Sequence, residues 1–354
     1  MSHRLNAVKA FADRNALVLA MLTGAAGYPW FRHLTWLLPP LIFLMLFFTF
    51  CKVNPLDLRL HAWHWIVLAL QMVLTAAVYY GLLYGLNSIA DAWGITENDI
   101  AVITQGIMVC VIMPTATAAP IIAGKLGGSI QNLTTFTLLS NIATAIAVPA
   151  FFPVVNPTSG IHFAEASCLI LCKVGPLLLG PFLAAWLLRL GYNGYQHHKG
   201  SSKTFALSRT WAAMPFYLWA ATLVVLMADL TYTLVTQHYN WWTVVVLCAG
   251  ALLTFLLQFM MGRWVGYHYP APNRGEDYHD VLVTPEAAHY TMPQVSRITA
   301  GQAFGQKNTT LGVWMAQTYL QPMSAIGPAA YIIWQNLINS IQLVVAAKKK
   351  PAQK

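Results

Sequence analysis

Apolar windows about 20 residues long recur along the whole chain, at residues 15–31, 34–53, 63–86, 100–124, 131–155, 165–189, 210–236, 240–262, 298–326 and 327–347. A helix of that length is what crossing the roughly 30 Å hydrocarbon core of a bilayer requires, so about ten spanning helices are expected. Composition points the same way: 57% of the 354 residues are hydrophobic and 9% are charged, too few charges to dress a soluble protein of this size. The chain therefore reads as an all-α polytopic membrane protein. Arg4, Lys9 and Arg14 before the first apolar run resemble a secretory signal, but similar runs continue to the C-terminus, and the first is read as an uncleaved span.

The basic residues set the expected orientation, because short cytoplasmic loops accumulate Lys and Arg. With the N-terminus inside, 17 of the 20 fall on the cytoplasmic side; Arg32 lies outside, and Lys173 and Lys307 lie within spans. A missed or invented helix would scramble that pattern. Both termini are thus expected in the cytoplasm, in a multi-pass protein of the plasma (inner) membrane. The net charge of +9 follows from this topology, and no nucleic-acid partner is implied. Trp30, Trp36, Trp63, Trp65, Trp241, Trp242 and Trp264 near helix ends fit an interfacial aromatic belt. Cys51, Cys110, Cys168, Cys172 and Cys248 lack metal-ligand spacing and read as small hydrophobes.

One polar insertion, residues 263–297, carries four internal prolines and an acidic patch at Glu276, Asp277 and Asp280, and reads as a cytoplasmic connector. Its His268, His279 and His289 are too loosely spaced for a metal site. Asn132-Leu133-Thr134 and Asn308-Thr309-Thr310 match the glycosylation pattern but fall in or beside spans, so glycosylation is not expected.

Two spans are unlike the others. The fourth contains Pro114, Pro120 and Gly124, and each proline removes a backbone donor and clashes with the preceding turn. The ninth contains Gly301, Gly305 and Gly312 around the polar run Gln306 to Thr310. An interrupted helix is tolerated in a membrane only where protein or a water-filled cavity satisfies the freed backbone groups. With ten spans in two halves of five, residues 1–155 and 156–354, the interrupted span is the fourth of each half. That placement is the signature of an inverted-repeat secondary transporter. Two ordinary proline-kinked packing helices remain the simpler alternative.

These segments resemble the bile acid:sodium symporter family, including its bacterial members, over most of the chain. "LTWLLPPLIFLMLFFTF", "KVGPLLLGPFLAAWL" and "AAYIIWQNLINSIQLV" are similar in kind and order to family segments. Met113-Pro114-Thr115-Ala116-Thr117-Ala118-Ala119-Pro120 resembles the family's Cys-Pro-Gly-Gly-Thr-Ala-Ser-Asn crossover. Ala303-Phe304-Gly305-Gln306-Lys307-Asn308-Thr309 resembles its Glu-x-Gly-x-Gln-Asn-Ser crossover. The resemblance implies a core domain of spans three to five and eight to ten and a panel domain of spans one, two, six and seven. The broken helices would cross at mid-membrane, and an organic anion would move with sodium by alternating access. The sodium ligands depart from the family. Ala119 and Pro120 replace a Ser and an Asn, leaving Thr137 and Ser140 as a residual sodium site, and two hydroxyls are fewer oxygens than a sodium cage wants. At the second sodium position, Ala303 and Lys307 replace a Glu and a Gln, while Gln71 is retained.

Lys307 is the candidate centre, because an intramembrane charge is costly and functional by default. Lys173 has an expected partner in Asp229 on the adjacent span, but Lys307 has no acidic residue at comparable depth. Its ammonium is a tethered cation standing in for sodium beside Gln71 and Gln306, or it releases its proton during the cycle, or it touches the substrate carboxylate. A purely structural lysine in a non-transporting relative is the fourth reading. Thr115, Thr117, Asn308, Thr309 and Thr310 are the expected substrate-binding side chains, since half-helix N-termini suit an anion such as a bile acid-like molecule or a small carboxylate. Each threonine has the alternative of bonding its own i−4 carbonyl. No phosphate loop, triad or metal cluster appears, so no enzymatic activity and no cofactor are expected. A membrane sensor or scaffold of the same fold, reaching a partner through residues 263–297, is the competing function, and a monomer is expected.

Overall fold

The computed structural model describes residues 19–157, 161–200, 204–236, 240–271 and 291–348. All their regular structure is helical: α1 (residues 19–26), α2 (Tyr28–Phe31), α3 (Leu38–Phe50), α4 (Ala62–Trp93), α5 (Glu97–Ile112), α6 (Ala119–Lys125), α7 (Ile130–Val155), α8 (Phe163–His198), α9 (Arg209–Thr236), α10 (Trp241–His268), α11 (Met292–Gly305), α12 (Thr309–Tyr319) and α13 (Ile326–Lys348). Among the described residues seven helices are long and apolar enough to cross a membrane, so the chain is an all-helical, multi-pass membrane protein. The difference from ten has a local cause. The window at 15–31 lies partly outside the described residues. Those at 100–124 and 298–326 are each split into two shorter helices, α5 with α6 and α11 with α12.

The chain forms two compact units, each drawing on both halves of the sequence. Residues 1–52 and 176–239 make one. Here α3 packs on α9, with Phe48 stacked on Trp211 at 5.5 Å, and the Arg189 guanidinium donates to the Cys51 carbonyl at 3.1 Å. The charge acting on half-buried Asp229 is Arg32, whose guanidinium lies 4.0 Å from the Tyr232 ring centroid. Lys173, the expected partner of Asp229, is exposed and belongs to the other unit.

Residues 53–175 and 240–354 make the other unit, and local signals start its helices. Thr96 and Asp99 form a reciprocal capping box at the start of α5, and the buried Asp99 carboxylate also accepts from Thr243 Oγ1 at 2.7 Å and Asn240 Nδ2 at 3.1 Å. That clip ties the start of α5 to the start of α10. Ser129 caps α7, and Thr291 with Gln294 caps α11. Gly94, in the left-handed region at φ 63°, ends α4. Gly262 and Gly266 on α10 face Ala300 and Ser296 on α11, so close that a Cβ on either glycine would overlap a carbonyl oxygen of α11. Small residues four apart are what let two membrane helices approach this closely.

Of the insertion, residues 272–290 lie outside the described residues, and with them Glu276, Asp277, Asp280, His279 and His289. Its two ends are helical: α10 runs on to His268 and α11 begins at Met292.

Candidate functional site

The two interrupted helices meet at their breaks. Residues 113–118 and 306–308 run antiparallel, with a β-bridge between Thr115 and Lys307. Two backbone bonds hold the pair: Ala116 N donates to Gln306 O at 2.9 Å, and Asn308 N donates to Pro114 O at 2.7 Å.

What each break costs is read from the carbonyls it strands. In an unbroken helix Cys110 O would receive the amide of residue 114, but that residue is proline and has no donor. Gln258 Nε2 of α10 takes the carbonyl instead, at 3.1 Å. Val111 O would receive the Thr115 amide, which turns away to Ser140 Oγ at 2.9 Å. Lys307 Nζ fills its place, donating to Val111 O at 3.0 Å. Ile112 O, deprived of the Ala116 amide, accepts from Gln71 Nε2 at 3.1 Å and Thr144 Oγ1 at 3.0 Å, and Met113 O accepts from Gln71 at 3.0 Å. Every stranded carbonyl of this half-helix end is thus capped by a side chain from elsewhere in the unit.

The second break is built the same way. The Lys307 amide leaves the helical ladder for Gln335 Oε1 at 3.0 Å, and the carbonyl it abandons, Ala303 O, receives Thr115 Oγ1 at 2.7 Å. Gly305 O receives the Tyr331 hydroxyl at 2.8 Å. The arrangement is reciprocal. Each bridge residue sends its amide to a side chain on a following helix, Thr115 to Ser140 and Lys307 to Gln335. Each then sends its own side chain to the carbonyl four residues before its partner, Lys307 to Val111 and Thr115 to Ala303.

Lys307 is 1% exposed and its Nζ lies 5.1 Å from the Phe304 ring centroid. Magnitudes explain why it tolerates burial without a carboxylate. A charge within a span costs ~2.5–3.5 kcal/mol on insertion scales. Against this stand an ammonium at a helix C-terminus, up to ~2 kcal/mol in a buried setting, a hydrogen bond from a charged donor, ~1.5–3 kcal/mol, and a desolvated cation over an aromatic face, ~2 kcal/mol. For a protonated Nζ these terms are of the same size as the cost.

The other candidate residues divide. Gln71 sits on the carbonyls next to the one Lys307 holds, and its Oε1 is buried without a partner. Gln306 faces away, in a two-way amide pair with Asn339 at 2.8 Å. Thr137 bonds its own i−4 carbonyl, Leu133 O, at 2.9 Å, and Ser140 serves the Thr115 amide, so both residual sodium hydroxyls are already engaged by protein groups. Asn308 caps α12 through Oδ1 to Leu311 N at 3.3 Å, while its Nδ2 is buried and unpartnered. Thr309 Oγ1 accepts from Gln335 Nε2 at 3.4 Å; Thr310 is buried beside it, and Thr117 is half-buried in the first break.

Sequence reading passed over Gln258, Tyr331, Gln335, Asn339 and Thr144. A signal was present: Tyr331, Gln335 and Asn339 recur every four residues in an otherwise apolar window, placing three polar groups on one face of α13. Gln335 from that face holds both the amide and the carbonyl of Lys307, the latter at 3.3 Å. Among the described residues no group of three or more His, Cys, Asp or Glu could hold a metal.

Fold and site together define a multi-pass helical membrane protein in which two interrupted helices meet around a buried lysine. No protein-family model matches the chain, and no curated protein matches it.

Proposed function

We propose that this protein is a secondary active transporter of an organic anion, a bile acid-like molecule or a small carboxylate, working by alternating access, with Lys307 as a tethered cation in place of sodium. One observation carries the reading: two helix breaks joined back to back, with an ammonium seated on the carbonyl end of one half-helix. Broken helices of this kind build substrate and ion sites in secondary transporters, because half-helix N-termini attract anions and stranded carbonyl ends attract cations. Here the carbonyl end that would attract a mobile cation already holds a covalently attached one.

Further support comes from the reciprocal capping of Thr115 and Lys307, the pattern expected of two inverted five-helix repeats within ten spans. The partition of the chain into residues 53–175 with 240–354, and 1–52 with 176–239, is close to the core and panel grouping that the bile acid:sodium symporter resemblance implies, except that its boundary falls inside α8, the sixth span. The anion is assigned to Asn308, Thr309 and Thr310 at the start of α12, where a buried Nδ2 lacks a partner, with Thr115 and Thr117 on the facing strand. A proton-coupled variant of the reading has one observation in its favour: among the described residues Nζ has a carbonyl and no carboxylate for a partner, so losing its proton strands no counter-charge there.

Counterflow in liposomes containing the purified protein tests the proposal. Vesicles preloaded with a transported carboxylate should take up the labelled compound transiently above its external concentration. Saturable binding without such an overshoot would indicate the sensor or scaffold alternative instead.

A further inference from the structure

A second site lies at the far end of the α10–α11 pair from the start of α10. The Gly301 contact sets Arg263 of α10 against α11 one turn after Arg297. The Arg263 stem lies against Gly301 and its guanidinium is 5.3 Å from the Phe259 ring centroid, while Arg297, exposed one turn before Gly301 on α11, acts on it as a like charge. Like charges destabilise a helix pair unless something between them is negative. Among the described residues no carboxylate is paired with either guanidinium. Exposed rings that prefer the headgroup level of a bilayer follow Arg263 along α10, Trp264 at 57% and Tyr267 at 51% exposed. The Trp264 ring packs against His268 at 4.7 Å.

We infer that Arg263 and Arg297 form a binding site for the phosphate of an anionic phospholipid. Two guanidinium forks present paired N–H donors that match phosphate oxygens, and the neighbouring aromatic rings suit the glycerol and upper acyl region. The lipid phosphate supplies the missing negative charge and relieves the repulsion. Because α11 leads directly into the second break, a lipid seated here steadies the helix that precedes Lys307.

The experiment reads binding and needs no transport. The full-length protein in neutral detergent is unfolded thermally with added phosphatidylglycerol, with phosphatidylcholine, or with inorganic phosphate. Phosphatidylglycerol should raise the wild-type midpoint by about 3 °C or more over phosphatidylcholine. Arg297→Gln, an exposed substitution that should fold, should lose at least half of that gain, and Arg263→Gln with Arg297→Gln nearly all of it. Arg297→Lys, which keeps the charge without the fork, should fall between wild type and Arg297→Gln. An equal gain in wild type and Arg297→Gln would overturn the site. An equal gain from inorganic phosphate alone would overturn its assignment to lipid.

Discussion

Replacing Lys307 with glutamate is expected to lower initial uptake by at least 100-fold and to reduce the thermal stability of the purified protein. The substitution removes the donor that holds Val111 O and leaves that carbonyl orphaned, at a cost of ~1–3 kcal/mol. It also sets a carboxylate against the negative end of α5 and the electron-rich face of Phe304, where the native ammonium was stabilised. At ~1.4 kcal/mol per tenfold, a loss of ~3 kcal/mol already corresponds to about 100-fold. Lys307→Met separates charge from shape. It fills the same space, so it should fold, yet it leaves the carbonyl end without its cation. Uptake by Lys307→Met at the wild-type rate would remove the amine from the mechanism.

The second large effect is structural. Gly266→Val is expected to destabilise the protein by about 3 kcal/mol or more, because the new Cβ would overlap the Ser296 carbonyl oxygen, a backbone atom that yields only if α11 itself moves. Separating α10 from α11 also displaces Gln258, the residue that caps Cys110 O and donates to the Tyr331 hydroxyl at 3.2 Å. Gly81→Ala is the control. Gly81 and Gly85 have the same spacing on α4, but nothing lies within 4 Å of a Cβ there, and the change should be neutral or stabilise by up to ~1 kcal/mol. Melting of both variants in one detergent distinguishes a packed glycine pair from an open one.

That contrast also marks the limit of what sequence makes legible. "GLLYG" and "GRWVG" read alike, and only the fold reveals which pair meets another helix. The interruptions at residues 113–118 and 306–308 were legible because proline and glycine act locally, through a missing donor or a missing Cβ. The burial of Lys307 was legible from the apolar run around it. Its acceptor was not, because Val111 O becomes free only when the Thr115 amide turns to Ser140, an event decided by a helix 25 residues further on. Gln258, Tyr331 and Gln335 were missed for the same reason. Single polar residues in apolar windows have many tolerated roles, and theirs depend on carbonyls stranded in distant segments. The expected Lys173–Asp229 pairing rested on comparable depth in adjacent spans, which does not fix the helix face each residue occupies; within its own unit the charge acting on Asp229 is Arg32.

Initial uptake into proteoliposomes under a sodium gradient, a proton gradient, or neither most directly tests whether the protein carries its own cation. The tethered ammonium predicts wild-type uptake that proceeds without sodium and is unchanged when sodium is added. Wild-type uptake that is strictly sodium-dependent would contradict it.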